Sequence, residues 1–559
     1  MPARLKAVIG VRGGLAKLRF DVAAARPAST QRRVLMRIIS KNEDTEFGRE
    51  HGFSSIRTDD DFRRRVPIQE YEGFRPYVNR IMGGEKKILT VEDPHMLTLS
   101  SGTTGEPKYI PVTPEGLKEG IGLMLQWLYR NFRDHPGFFD HACLSIVSQA
   151  IEGYTPSGIP FGSASGMIYH GMPTAVRRGY AIPHIVSNIR NYERRYFVTA
   201  RLGLGKRVSY IATANPSSLV RLAEIIETEQ EKLIRAICDG VLGVDLDDQP
   251  EIAAQLSARL KPDRVQARYL SNLAQKSGGL KPRECWPDLK VLACWLGGTV
   301  GTQARKLAAL YGDVPIRDLG YLASEGHFTV PVDDWTPSGV VTVGSTYYEF
   351  IPEEQLGTAQ QTVLSIHELE TGERYGVIIT TSSGLYRYEI NDIVEVTGHY
   401  RKTPLLAFIR KGDDMTSITG EKMHANHVLL ALEKVRGLYD FSVVDQFRVV
   451  PNYEDGRYEI YVELNEDVPR ELLCAKVIPA IDQALCEVNV EYAQKRSSKR
   501  LKMPRLHLMR RGWAEANVKK AVAAGKREAQ YKWQLLCPEP RAEDRAAIAR
   551  TIEPMEEDS

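Results

Sequence analysis

The sequence predicts an α/β protein, with a large N-terminal body of β-sheets and packed helices and a smaller, mobile α+β domain at the C-terminal end. Three observations lead there. Strand-like and helix-like hydrophobic patterns alternate along the chain as far as about Phe408, as in α/β bodies. The pattern then breaks at Lys411-Gly412-Asp413-Asp414, a charged turn suited to a hinge, and a compact run of strand, turn, strand, helix and strand follows. The chain has 559 residues, 43% of them hydrophobic, which is ample for a large core and more than one domain. The expected domains are 1–410 and 411–552, followed by a polar, acidic and frayed tail over 553–559.

The elements follow in order. Gln31 to Ser40 has helical periodicity. A long helix runs from Pro114 to about Phe132, with Leu117, Ile121, Met124, Leu125 and Leu128 as its core face. Another opens at Asn215-Pro216, a cap followed by a first-turn proline, and continues to about Cys238. Leu289 to Trp295 reads as a strand ending at Gly297-Gly298, with a helix after it to about Leu310. Val340–Phe350 and Arg374–Thr381 are further strands. Past the hinge come strands 441–450 and 458–464, a helix from Arg470 to Val488, and a strand from Arg505 to Met509.

Composition narrows the function. Lys and Arg number 74 against 71 Asp and Glu, so the overall charge of +3 gives no reason to expect nucleic acid or a membrane surface as partner. Arg63-Arg64-Arg65 and Arg194-Arg195 read as solvated faces. The seven cysteines are dispersed without a C-x-x-C pair, as suits reduced thiols in the cytosol. No apolar run reaches 18 residues, so a soluble, cytoplasmic protein is expected, a monomer or weak homodimer.

The most informative stretch is Thr98 to Val112. Ser100, Ser101, Gly102, Thr103, Thr104 and Gly105 form an unbroken run of hydroxyls and glycines, and Lys108 follows three residues later. Hydroxyls and backbone N–H groups donate to phosphate oxygens, glycine allows close approach, and lysine adds a point charge. Strand-like flanks and the prolines at 107, 111 and 114 exclude a Walker-type loop, which needs four residues between its glycines and a helix after them. Other patterns carry less. Gly162-Ser163-Ala164-Ser165-Gly166 lacks the central serine of a nucleophile elbow, and His424 and His427 have no evident third metal ligand.

The order S-S-G-T-T-G-E-P-K resembles the phosphate loop of the acyl-adenylate-forming enzymes, among them the acyl-CoA synthetases, luciferases and the auxin-responsive acyl acid amido synthetases. Further segments resemble the amido synthetases in order: Tyr321-Leu322-Ala323-Ser324-Glu325, Gly384-Leu385-Tyr386-Arg387-Tyr388 through Asp392, Thr419-Gly420-Glu421-Lys422, and Gly525 through Gln530-Tyr531-Lys532. Val66-Pro67-Ile68-Gln69-Glu70-Tyr71 and Tyr348-Glu349-Phe350-Ile351-Pro352 also match. The chain is identified as a bacterial-looking member of that family. Glu389 and Asn391 depart from the arginine and glycine of the family pattern, and Arg410-Lys411 stands where the superfamily has Gly-Arg.

The resemblance implies an adenylate-forming body with a β-barrel portion and a swinging C-terminal domain. It implies ATP and Mg²⁺ as cofactors, with a small-molecule carboxylic acid and an amine or amino acid as partners. ATP contacts would come from Ser100 to Gly105, Lys108, Gly297, Gly298, Thr299, Tyr321, Ser324, Glu325 and Asp392. Either Arg410 or Lys411 would reach the ribose. Glu325 would hold the metal, and Lys108, Glu325 and a lysine of the C-terminal domain, Lys422 or Lys532, would act in catalysis. The acyl pocket would be lined from the Leu117–Leu128 helix and the segment 161–169. The expected reaction is adenylation of the acid, then transfer to the amine with release of AMP. An acyl-CoA ligase and a non-catalytic ATP-binding protein are the alternatives.

Overall fold

The computed structural model describes residues 3–554 apart from 101–106, 164–165, 167–168, 170–171, 173, 298–303, 305, 359, 413–414, 439–443, 465–466 and 524–534. The chain divides into two compact units, one of Met1–Ser100 with Lys108–Ile409, the other built on Arg410–Ser559.

Three sheets organise the first unit. Strands Ala142–Ile146, Val208–Thr213, Val291–Ala293 and Ile316–Arg317 lie parallel in that order, and most of their apolar residues are buried, as in parallel sheets covered on both faces. The second sheet pairs Met96–Ser100 antiparallel with Lys108–Val112, setting Ser100 opposite Lys108, and parallel with Pro160–Gly162. The third has seven strands in the order Thr329–Pro331, Gly339–Val341, Thr403–Lys411, Tyr388–Tyr400, Arg374–Thr380, Tyr347–Pro352 and Leu364–Ser365. Phe47 and Tyr386 stack beneath it, with ring centroids 4.8 Å apart.

Three elements differ from expectation. The strand expected over Val340–Phe350 is two, Gly339–Val341 and Tyr347–Pro352, because Thr342 to Ser345 close a turn through a 3.1 Å backbone bond. The helix expected from Asn215 to Cys238 is also two, Pro216–Thr228 and Gln230–Asp239. Glu229 leaves helical geometry at φ −101°, ψ 18°, and both Ile226 and Leu233 still reach the core. The long helix Pro114–Asp134 forms, with Thr113 capping it by accepting from the Gly116 N–H at 3.1 Å. Met124, Leu125 and Leu128 of the expected stripe pack against a core cluster around Trp127 and Phe138, but the most buried positions include polar residues. Gln126, Trp127, Arg130 and Asn131 are buried, whereas Leu117, Ile121, Met124, Leu125 and Leu128 are half-buried.

The second unit is a four-stranded sheet, Val444–Asn452, Arg457–Leu464, Arg505–Met509 and Ile548–Ile552, covered by helices Ala425–Leu438 and Ile478–Val488. The helical run from Arg470 widens into a π-turn over Leu473–Val477 just ahead of Pro479, whose ring cannot accept the normal helical approach of the carbonyl one turn back. A buried Arg448–Asp544 pair at 2.7 Å, with the Trp513 indole donating to the same carboxylate at 2.8 Å, braces the sheet. Of the expected tail, Glu553 is tied to Arg505 at 2.9 Å, and residues 555–559 lie outside the described residues.

Candidate active site

Ser101, Gly102, Thr103, Thr104 and Gly105 lie outside the described residues, and Ser100 and Lys108 end the two strands that carry them. Both strands are pinned from behind. The Thr98 hydroxyl donates to the Ser324 carbonyl at 2.9 Å, tying the incoming strand to the Tyr321–Gly326 segment. On the outgoing strand, the Tyr71 hydroxyl accepts from the Tyr109 N–H at 2.8 Å and donates to its carbonyl at 3.1 Å. The Lys108 ammonium sits 5.6 Å above the Tyr71 ring, a cation–π contact that orients it. Burial pushes the Tyr71 phenol up to about 12, which keeps its proton available for that bond.

The second and third family-like segments lock together by reciprocal bonds. Tyr321 donates to Asp392 Oδ2 at 2.5 Å, and Tyr388 donates to Glu325 Oε1 at 3.2 Å. Burial, reinforced by the facing carboxylates, raises both phenols well above their ordinary value, so each remains a donor. Asp392 is buried and Glu325 half-buried. The Tyr321 ring packs against Phe408 at 5.8 Å and Phe328 at 4.9 Å.

The departures from the family pattern have local reasons. Asn391 occupies the glycine column with φ +58°, the left-handed region that asparagine tolerates best after glycine. The strand is irregular here, since its register with Arg374–Thr380 shifts between Gly376 and Ile378. Arg387, also left-handed at φ +48°, faces inward. Its guanidinium meets buried Glu349 at 2.8 Å and the Val66 and Arg63 carbonyls at 2.8 and 3.0 Å, while Arg63 reaches the same carboxylate at 3.0 Å. Gln69 lies opposite Tyr388, its N–H donating to the Arg387 carbonyl at 3.2 Å and its carbonyl accepting from the Glu389 N–H at 3.0 Å. The two minor matches, Val66–Tyr71 and Tyr348–Pro352, thus buttress the third segment. Gly384 starts it at φ +93°, where a Cβ would come within 2.8 Å of the Leu89 side chain.

Asp318 was not evident from the sequence. It follows the last parallel strand, and its carboxylate accepts the Leu296 and Gly320 N–H groups at 2.6 Å each, with a further bond from Gly297. One buried side chain therefore fastens the Gly297 loop to the turn before Tyr321. Burial pushes its pKa up to about 7 against the pull of these donors. The signal for it was an acid at the carboxyl end of an apolar strand, where α/β sheets gather their ligands. At Gly297 a Cβ would lie 3.0 Å from the Phe408 carbonyl, so the close approach favours glycine. Gly298 and Thr299 lie outside the described residues.

In the second unit, Arg410 and Lys411 end the strand from Thr403. Lys422 follows a turn closed by Glu421, whose buried carboxylate accepts the Ile418 and Thr419 N–H groups at 2.8 Å each and the Tyr458 hydroxyl at 2.6 Å. The Lys422 backbone is held by Glu491 and Asn489 at 2.9 Å each. Lys532 lies outside the described residues. His424 and His427 are both buried, their rings 5.3 Å apart, with Asn489 beside His427 at 3.1 Å.

This architecture is that of an acyl acid amido synthetase fold. The solved structure of GH3.15 acyl acid amido synthetase superposes with a TM-score of 0.64 at 20% identity, covering 97% of this chain and 98% of that one. The chain belongs to the GH3 family: it matches the GH3 family N-terminal domain over residues 16–316, the central domain over 339–411 and the C-terminal domain over 425–541. It is 26% identical to jasmonoyl–L-amino acid synthetase JAR4 of Nicotiana attenuata, covering 92% of each chain. It is 23% identical to indole-3-acetic acid-amido synthetase GH3.3 of Arabidopsis thaliana, covering 90% of this chain and 88% of that one.

Proposed function

We propose that this protein is an ATP-dependent acyl acid amido synthetase, joining a carboxylic acid to an amino acid. The observation that carries the reading is the reciprocal pair Tyr321–Asp392 and Tyr388–Glu325, which holds the second and third adenylation segments in one arrangement. The relatives named for jasmonate and indole-3-acetate conjugation support an acid and an amino acid as substrates.

In the first step the acid's carboxylate attacks the α-phosphorus of ATP, and the bond to pyrophosphate breaks. In the second an amine attacks the acyl carbon, AMP leaves, and the amine's surplus proton passes to solvent. Both reactants of the first step are anionic, so the chain's task is neutralisation and alignment. The loop hydroxyls and Lys108 are the candidates for the phosphates, and Asp392 is the candidate for the ribose hydroxyls. Glu325 fits Mg²⁺, which is commonly held by one or two carboxylates together with substrate phosphates. That ion would spread the charge of the β- and γ-phosphates. Leu117 and Ile121, half-buried on their helix, support an apolar wall for the acyl group. Lys422, on its Glu421-braced turn, is the candidate lysine of the C-terminal domain.

The test is ATP–pyrophosphate exchange across a panel of carboxylic acids, repeated with amino acids added. Acid-dependent exchange that turns into amide formation supports the proposal. No exchange with any acid, alongside ATP binding, would favour a non-catalytic ATP-binding protein.

A further inference from the structure

The first helix, Ala3–Ala25, has two apolar faces and uses only one of them. Ile9 and Ala24 are buried, and Gly13 packs so closely on Tyr129 that a Cβ would lie 2.5 Å from it. On the other side Val11, Leu15, Leu18 and Val22 are 66%, 55%, 61% and 59% exposed. Spacings of four, three and four residues put these side chains in one stripe about 16 Å long. A contiguous exposed stripe of this kind marks an interaction surface.

Its charge indicates the partner. Before Pro27 the chain carries Arg4, Lys6, Arg12, Lys17, Arg19 and Arg26 against one acid, Asp21. Exposed Arg12 and Arg19 each follow a stripe residue, which places them about 100° round the helix, along one flank. Exposed Arg401 and Lys402 add to the rim at the far end. Their hairpin is fastened to the helix by the Lys402 N–H and the Thr403 hydroxyl, which donate to the Ala24 carbonyl at 3.2 and 2.9 Å. Asp21 is buried and occupied by Lys17 at 2.6 Å, the Tyr400 hydroxyl at 2.9 Å and the rim's own Arg401 at 3.5 Å. A second copy of the helix would therefore bring the arginines no acid to pair with.

We propose that this stripe and its basic rim dock on an anionic phospholipid surface, with the helix lying in the interface plane. Among the described residues no helix is long and apolar enough to cross a membrane, which fits a surface contact. The whole-chain charge of +3 conceals the patch, because the excess is local.

The experiment is co-sedimentation of the full chain with vesicles of phosphatidylcholine alone and of equimolar phosphatidylcholine and phosphatidylserine. Binding is expected on the anionic vesicles only, and should decline with salt. Leu15→Gln with Leu18→Gln, and separately Arg12→Glu with Arg19→Glu, should each weaken it at least about tenfold, since both apolar burial and basic charge drive such contacts. Melting temperature should stay unchanged, the sites being exposed. No binding to anionic vesicles, or binding that both double variants retain, overturns the proposal. So does a concentration-dependent dimer that Leu15→Gln with Leu18→Gln dissolves, because a second copy would then cover the stripe.

Discussion

Replacing Asp318 by Asn tests how the site is built. Asp318 offers two buried oxygens to N–H groups from Leu296 and Gly320, and its pKa is pushed up to about 7 by burial. In the unfolded chain an aspartate loses its proton near its ordinary value of 3.8. Between those values the folded state binds more protons, so this group's contribution to stability is full at low pH and is lost as pH rises through 7. From pH 5 to pH 8 the loss is about 3 kcal/mol. Asparagine has no such titration. The wild-type advantage over Asp318→Asn should therefore shrink by about 3 kcal/mol between pH 5 and pH 8, measured by denaturant unfolding of both proteins at each pH. The amide also turns an N–H toward a backbone donor, leaving a buried mismatch of about 1–3 kcal/mol and a looser Gly297 loop. The KM for ATP should accordingly rise more than kcat falls. A stability difference that stays constant across this pH range would refute the raised pKa of Asp318, and an unchanged KM for ATP would refute its clamping role.

Three further outcomes are expected. Lys108→Ala, which removes a phosphate donor, should slow ATP–pyrophosphate exchange by about 10²–10³, and near-normal exchange would remove Lys108 from the chemistry. Glu325→Gln should raise the Mg²⁺ concentration needed for half-maximal exchange, and an unchanged Mg²⁺ titration would leave Glu325 a structural acid. Burial pushes His327 down to about 4 from 6.5, so the unfolded state binds more protons in that window and stability falls as pH drops through it. Over the whole window this is worth about 3 kcal/mol, and His327→Leu should flatten the acid limb of the stability profile.

The order of the family-like segments was readable because hydroxyls, glycines, a lysine and acids stand in a distinctive sequence. The strands and helices that carry them were readable from periodicity. What could not be read depends on contacts distant in sequence. Tyr321 and Asp392 are separated by most of the seven-stranded sheet, and nothing local to either announces their bond. Arg387 is part of a family-like segment in the sequence, but only the structure shows that its left-handed backbone turns it onto Glu349. On the 114–134 helix the periodicity marks Met124, Leu125 and Leu128, which do pack against the Trp127 cluster, but it does not show that Gln126, Arg130 and Asn131 are buried beside them. Arg130 lies 5.5 Å from the Phe20 ring and 5.4 Å from the Tyr400 ring, contacts from two other elements that compensate a buried cation. Asn391 could be noted as a departure from glycine, but only the backbone explains why asparagine is accepted.

The most direct test of the central claim is product analysis with the full chain, ATP, Mg²⁺, an acid that supports exchange and an amino acid, with no CoA present. An amide is expected, with AMP and pyrophosphate each formed in equal amount to it. Product that appears only when CoA is added, and is a thioester, or the release of ADP and phosphate in place of AMP, would contradict it.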